Sequence, residues 1–136
     1  MTPGDRELVL DASVLVKWFH PDQEANVEGA LRLLTEYENA ELQVVVPPLL
    51  YIELLNLAIR RWAATEQAIT AFGERLLRLR FIIQQPDLVG VARWTALGLT
   101  AYDACYVALA EERRTTVITA DRQMLSIGGP LAVALS

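Results

Sequence analysis

The sequence predicts an α/β fold, a parallel sheet with helices on both faces. Three observations predict it. The 136 residues suit one domain spanning residues 1–136. The 53% apolar and 21% charged content excludes intrinsic disorder. Short β-branched apolar runs alternate with longer segments of helical periodicity. Strands separated by helices require right-handed crossovers and therefore run parallel.

The elements follow in order. ELVLD at residues 7–11 reads as the first strand, followed by a short turn of helix over 13–19 that Pro21-Asp22 breaks. Residues 23–39 carry Val27, Ala30, Leu31, Leu34 and Tyr37 at helical spacing and read as an amphipathic helix. QVVV at 43–46 is a second strand ended by Pro47-Pro48, and proline in a first turn suits a helix over 49–63. Thr65 reads as an N-cap, with Glu66 and Gln67 in the first turn of a helix reaching about Arg78. FIIQQ at 81–85 is a third strand, and 87–97 a helix with Gly98 as C-cap. Thr100 starts a helix over 101–113, TVIT at 116–119 is a fourth strand, and 121–126 a short helix. Gly128-Gly129-Pro130 makes a turn before a fifth strand over 131–135.

Composition removes several chemistries. The single cysteine, Cys105, excludes an internal disulfide and a cysteine-based zinc site. The single histidine, His20, excludes multi-histidine metal sites and argues against a Ser-His-Asp triad. No basic region leads into an apolar core and cleavage site, so no signal peptide is expected. No charge-free stretch reaches the roughly 20 apolar residues of a membrane span. A soluble, cytoplasmic protein is expected. The net charge of −5 lacks the basic footprint of many nucleic-acid binders. Gathering four carboxylates at one cation site would leave the remainder near neutral, so a phosphate substrate arriving with divalent cations stays compatible. Lys17 is the only lysine; arginines cluster at Arg60-Arg61, at Arg75, Arg78 and Arg80, and at Arg113-Arg114.

In open parallel sheets ligands bind beyond the carboxyl ends of the strands, near the switch in strand order. Asp11 ends the first strand and Asp121 follows the fourth. Glu53 lies on the helix after the second strand, and Asp103 in the first turn of the helix before the fourth. Each also has a plain structural reading. Asp11 suits a turn. Glu53 shares a face with Asn56 and Arg60 and could mark a solvated stripe. Asp103 completes a T-x-x-D capping box with Thr100, and Asp121 suits an N-cap. Together the four can stand at one end of one sheet. Hard oxygen ligands without cysteine or histidine point to Mg²⁺ or Mn²⁺. His20 and the tryptophans Trp18, Trp62 and Trp94 read as packing residues, and Cys105 as buried core. Leu49, Leu50, Ile52, Leu54, Leu55, Leu57 and Ile59 exceed what one core face needs, which suggests a partner surface.

Four segments carry a family resemblance: LVLDASVLVKWF (8–19), VVPPLLYIELLNLAIR (45–60), LTAYDACYVALAEE (99–112) and TVITADRQML (116–125). In that order and spacing they resemble the four acidic motifs of PIN-domain proteins, and more closely the VapC-type toxin ribonucleases of toxin–antitoxin pairs. The resemblance covers essentially the whole chain. It implies a three-layer α/β/α sandwich around a parallel sheet of about five strands. It implies that Asp11, Glu53, Asp103 and Asp121 are the catalytic, metal-holding carboxylates, and that the hydroxyls of Ser13 and Thr119 support them. It further implies Mg²⁺- or Mn²⁺-dependent endonucleolytic hydrolysis of RNA, leaving 5′-phosphate and 3′-hydroxyl ends. The implied partners are an RNA substrate, a VapB-type antitoxin and a second copy in a homodimer. The helices over 49–63 and 65–78 are the expected antitoxin groove.

Other readings weaken on single residues. A phosphoacceptor receiver domain needs a lysine after a late strand, and none follows Lys17. A haloacid-dehalogenase-type phosphatase needs D-x-D, where this chain has Asp11-Ala12-Ser13. A housekeeping RNA-processing PIN nuclease, or a silent PIN binding module, would share the same four motifs.

Overall fold

The computed structural model of the chain describes residues 6–136. The expectation of no leader peptide rests partly on residues 1–5, outside the described residues. Strands β1 (Glu7–Leu10), β2 (Gln43–Val46), β3 (Ile82–Ile83), β4 (Val117–Thr119) and β5 (Ala132–Ala134) form one sheet. Its order is β3-β2-β1-β4-β5 and every pairing is parallel. β1 is central, with Val9 opposite Val45 on one side and Val117 on the other. Sheets covered on both faces favour unbroken apolar strands, and LVL of β1 and VVV of β2 are almost wholly buried.

Among the described residues seven helices cover the sheet: α1 (Ala12–Phe19), α2 (Val27–Glu38), α3 (Leu49–Trp62), α4 (Glu66–Leu77), α5 (Leu88–Ala96), α6 (Ala101–Glu112) and α7 (Arg122–Gly128). The chain steps from β1 outward to β3, then crosses back to β4 and β5. Right-handed crossovers therefore put α1–α4 on one face and α5–α7 on the other. The helix contacts agree: α1 packs on α2 and α3, and α3 on α4, while α6 packs on α5 and α7. This is the expected three-layer α/β/α architecture.

Capping residues written in the sequence start three helices. The Thr65 hydroxyl accepts the Ala68 N–H, the Thr100 hydroxyl accepts the Asp103 N–H, and an Asp121 carboxylate oxygen accepts the Met124 N–H. Gly98 follows the C-cap of α5 with φ +119°, a conformation that side-chain-bearing residues avoid. Gly29 on α2 has a different role. A Cβ there would lie 2.1 Å from the Ser136 carbonyl oxygen, so only glycine admits that backbone.

Local departures have local causes. The first strand stops at Leu10, because Asp11 turns out of the sheet to cap α1. The helix expected from residue 23 begins at Val27. A 3-10 turn at Pro21–Gln23 intervenes, the Glu24 side chain is drawn to Lys17 and Arg61, and Asn26 is left-handed. The third strand shrinks to Ile82–Ile83. Phe81 turns into an aromatic cluster with Trp18 and Tyr37, and the Gln84 carboxamide bonds Glu112 and Arg113. The last helix runs through Gly128, and the turn follows as a 3-10 segment, Gly129–Leu131. Cys105 is half-buried rather than core. Burial, and then the charge of the nearby Glu53 carboxylate, raises its thiol pKa.

Arg113 departs from a solvated role. It is half-buried and bonds Glu7 at 2.6 Å and Gln84 at 3.2 Å, tying the end of α6 to the start of β1 and the exit of β3. Among the described residues no helix is long and apolar enough to cross a membrane.

Candidate active site

The switch in strand order lies at β1, which pairs with β2 on one side and β4 on the other. Asp11 stands immediately after β1, and Asp121 two residues after β4. Asp11 is 4% exposed. Its Oδ1 accepts from Ser13 Oγ at 2.6 Å and from the Val14 N–H at 3.2 Å. Its Oδ2 accepts from Thr119 Oγ1 at 2.5 Å.

The same two hydroxyls are held from behind. Ser13 Oγ accepts from the Ala120 N–H at 3.0 Å, and Thr119 Oγ1 from the Asp121 N–H at 2.9 Å. A hydroxyl that accepts from an N–H is free to donate its own proton, so both O–H groups aim at Asp11. This network joins the start of α1 to the β4–α7 turn and fixes the carboxylate in one orientation.

Glu53 projects from α3 and is not a solvated-stripe residue. Its carboxylate accepts from the hydroxyl of Tyr106, a buried residue of α6. The Tyr106 pKa lies well above its ordinary value, through burial and then the Glu53 charge, so Tyr106 keeps its proton and is the donor. Asp103 precedes Tyr106 by three residues on the same helix. Tyr106 was absent from the sequence-derived site. Its only sequence signal is the shared face with Asp103, which reads equally as core.

Electrostatics ties the four carboxylates together. Burial pushes the Asp11 carboxyl up to about 6, against the lowering effect of its three hydrogen bonds, and Asp103 adds repulsion. Burial also raises Glu53, where the Tyr106 bond lowers and the Asp103 charge raises. Asp103 is raised by burial and then by Asp121, with a hydrogen bond to Thr100 opposing. None of the four joins any ion pair found among the described residues. The acidic group thus holds uncompensated like charge, which a cation would offset.

The donor set is hard oxygen, suited to Mg²⁺ or Mn²⁺ rather than to softer metals. Among the described residues no three Asp, Glu, His or Cys side chains are drawn together closely enough to enclose an ion. Asp11, Glu53 and Asp121 each lie within electrostatic reach of Asp103. A groove of about 410 Å³ borders Glu53, with Ser13 and Ala120 beside it, and extends to Lys17, Glu24, Arg60 and Arg61.

Comparison with solved structures finds the same fold. PAE2754 from Pyrobaculum aerophilum matches with TM-score 0.64 at 23% identity, covering 96% of this chain and 90% of that one. FitAcB from Neisseria gonorrhoeae matches with TM-score 0.67 at 17% identity, covering 95% and 96%. A toxin–antitoxin complex from Klebsiella pneumoniae matches with TM-score 0.64 at 20% identity, covering 95% and 98%. Comparison with curated proteins finds no significant match. The sequence itself matches the PIN domain family over residues 8–130, a span that includes all four acidic positions. The chain belongs to the PIN domain family.

Proposed function

We propose that this chain is a divalent-metal-dependent endoribonuclease, the toxin of a VapBC-type toxin–antitoxin pair, acting in the cytoplasm. The observation that carries the reading is that Asp11, Glu53 and Asp121 all stand within electrostatic reach of Asp103 at the strand-order switch, with no ion-pair partner among the described residues. A structural acidic cluster would normally carry such a partner, since unpaired buried charge is costly. A nuclease keeps the cost because its cation arrives with the reaction.

Asp11, Asp103, Glu53 and Asp121 are the residues that would hold Mg²⁺ or Mn²⁺. When bound, such an ion activates water and neutralises charge on a phosphodiester. The chain's own groups provide orientation. Ser13 and Thr119 hold both oxygens of Asp11, and Tyr106 holds Glu53. Thr100 caps α6 and sets Asp103 in its first turn. No nucleophilic side chain is required: the hydroxyls of Ser13, Thr119 and Tyr106 are engaged as donors to the carboxylates.

Two features support an antitoxin partner. A neighbour in fold from Klebsiella pneumoniae is a toxin–antitoxin complex. A cleft lined by Phe19, Ala58, Trp62, Ala68 and Phe72, together with His20 and Arg75, opens where α3 and α4 meet the end of α1. Ile52, 58% exposed, and Ile59 add unpartnered apolar surface on α3. A peptide helix or extended segment suits such a groove, and a second copy of the chain suits the remaining apolar surface.

Induced expression in bacteria of wild type against Asp11→Asn tests the reading. Growth arrest with discrete, mappable RNA cuts is expected for wild type alone. Equal cutting by the Asp11→Asn protein would remove Asp11 from the site. Absence of cutting by both, with soluble protein, would favour the PIN binding module.

A further inference from the structure

The groove beside the acidic group is chemically graded. It is lined by Ser13 and Glu53 and, toward the carboxyl ends of α1 and α3, by Lys17, Arg60 and Arg61 with Glu24 among them. On α3, Glu53, Asn56, Leu57 and Arg60 fall at i, i+3, i+4 and i+7, one face of the helix. Seven residues of helix span about 10 Å. That is roughly one to two nucleotides of an extended strand, at about 6–7 Å between phosphates, about twice the nucleotide spacing along one strand of duplex DNA.

The cations differ in what they are free to do. Lys17 is 6% exposed and donates to Glu24 at 3.2 Å and to the Ala25 carbonyl at 2.6 Å. Arg61 reaches the other Glu24 oxygen at 3.3 Å. One carboxylate therefore meets two cations. Arg60 makes no ion pair or hydrogen bond found among the described residues, and its side chain is exposed. Position at the carboxyl end of α3 accounts for arginines there through the helix dipole. It does not account for both turning onto the groove that contains Glu53. Three cations against one carboxylate leave this end positive, in a chain whose net charge is −5.

We propose that this end of the groove is a phosphate subsite, with Arg60 as the contacting residue. It holds the backbone of single-stranded RNA one to two nucleotides from the phosphodiester placed at the carboxylates. Lys17 and Arg61, anchored by Glu24, supply the surrounding positive field. The walls between the two ends, Ala12, Val16 and Leu57, offer apolar contact without hydrogen-bond readout, so Arg60 contributes affinity and register rather than base identity. This inference rests on the ribonuclease reading above.

The test uses full-length protein carrying Asp11→Asn, so that RNA is not cut, and a short fluorescent single-stranded RNA. Binding is followed by anisotropy over a range of monovalent salt at constant Mg²⁺. Arg60→Ala is expected to weaken binding and to lower the log–log salt slope by about 0.7, the loss of one phosphate contact on a single strand. Arg60→Lys should keep the slope. Arg6→Ala, at the opposite end of β1, removes the same charge and should leave the slope unchanged. An unaltered slope in Arg60→Ala, with binding intact, overturns the subsite while sparing the ribonuclease reading. Equal loss of slope in Arg6→Ala overturns it as well, because general charge would explain it. If Arg60→Ala weakens capture of an acidic partner peptide but not of RNA, the groove is a protein site and the proposal falls. Absence of RNA binding in all variants, together with absence of cutting by wild type, removes both readings.

Discussion

At Asp11, burial and hydrogen bonding act in opposite directions, and burial wins. Three donors favour the ionised form, yet the carboxyl titrates at about 6 instead of 3.8. The folded chain therefore binds a proton more readily than the unfolded chain between those values. Stability from this group falls as pH rises from about 4 through 6, and the full cost is present at neutral pH. Two pH units correspond to about 3 kcal/mol at most. Asp11→Asn removes the charge while retaining an oxygen for Ser13 and Val14. In the presence of chelator the variant should melt about 5 °C above wild type near pH 7.5. The gap should close toward pH 4.5, where wild type is protonated as well. A variant that melts at or below wild type across the whole range would show that the site carries no electrostatic strain.

At the scale of elements, α6 coordinates two parts of the site. Its cap at Thr100 places Asp103 in the first turn, and one turn later Tyr106 reaches across to Glu53 on α3. Tyr106→Phe keeps the ring and deletes the donor. Expected are a modest fall in melting temperature and a roughly tenfold drop in kcat, about 1.4 kcal/mol, with the RNA dissociation constant unchanged. A purely structural Tyr106 would lower stability without separating kcat from binding. The elements also show what a sequence can reveal. Caps are local, so Thr65, Thr100 and Asp121 mark their helices within a residue. The start of α2 and the length of β3 depend instead on Lys17 and Arg61 pulling Glu24, and on Phe81 joining Trp18. Such long-range contacts leave no periodicity in the chain. The four carboxylates were legible because strand order and motif spacing predict their common location. Tyr106 was not, because its partner lies 53 positions away and a core aromatic reads the same.

Over the whole molecule, topology and charge converge on one expectation. The sheet order carries β1 and β4 side by side, and the helices on opposite faces bring Glu53 and Asp103 to the same end. The fold therefore stores repulsion where a cation would relieve it. A ligand that binds only the folded state stabilises by about 2.7 kcal/mol at a hundred times its dissociation constant. For a chain of this size that is a rise in melting temperature of roughly 5–10 °C. Mn²⁺ titrated into chelator-treated wild type should produce such a rise, larger at pH 7.5 than at pH 5, because the ion must displace the Asp11 proton. The double variant Asp11→Asn with Asp103→Asn should start from a higher melting temperature and gain little from Mn²⁺. An equal gain in wild type and double variant would place the cation elsewhere on the surface. No gain in either would leave the acidic group without its proposed ligand.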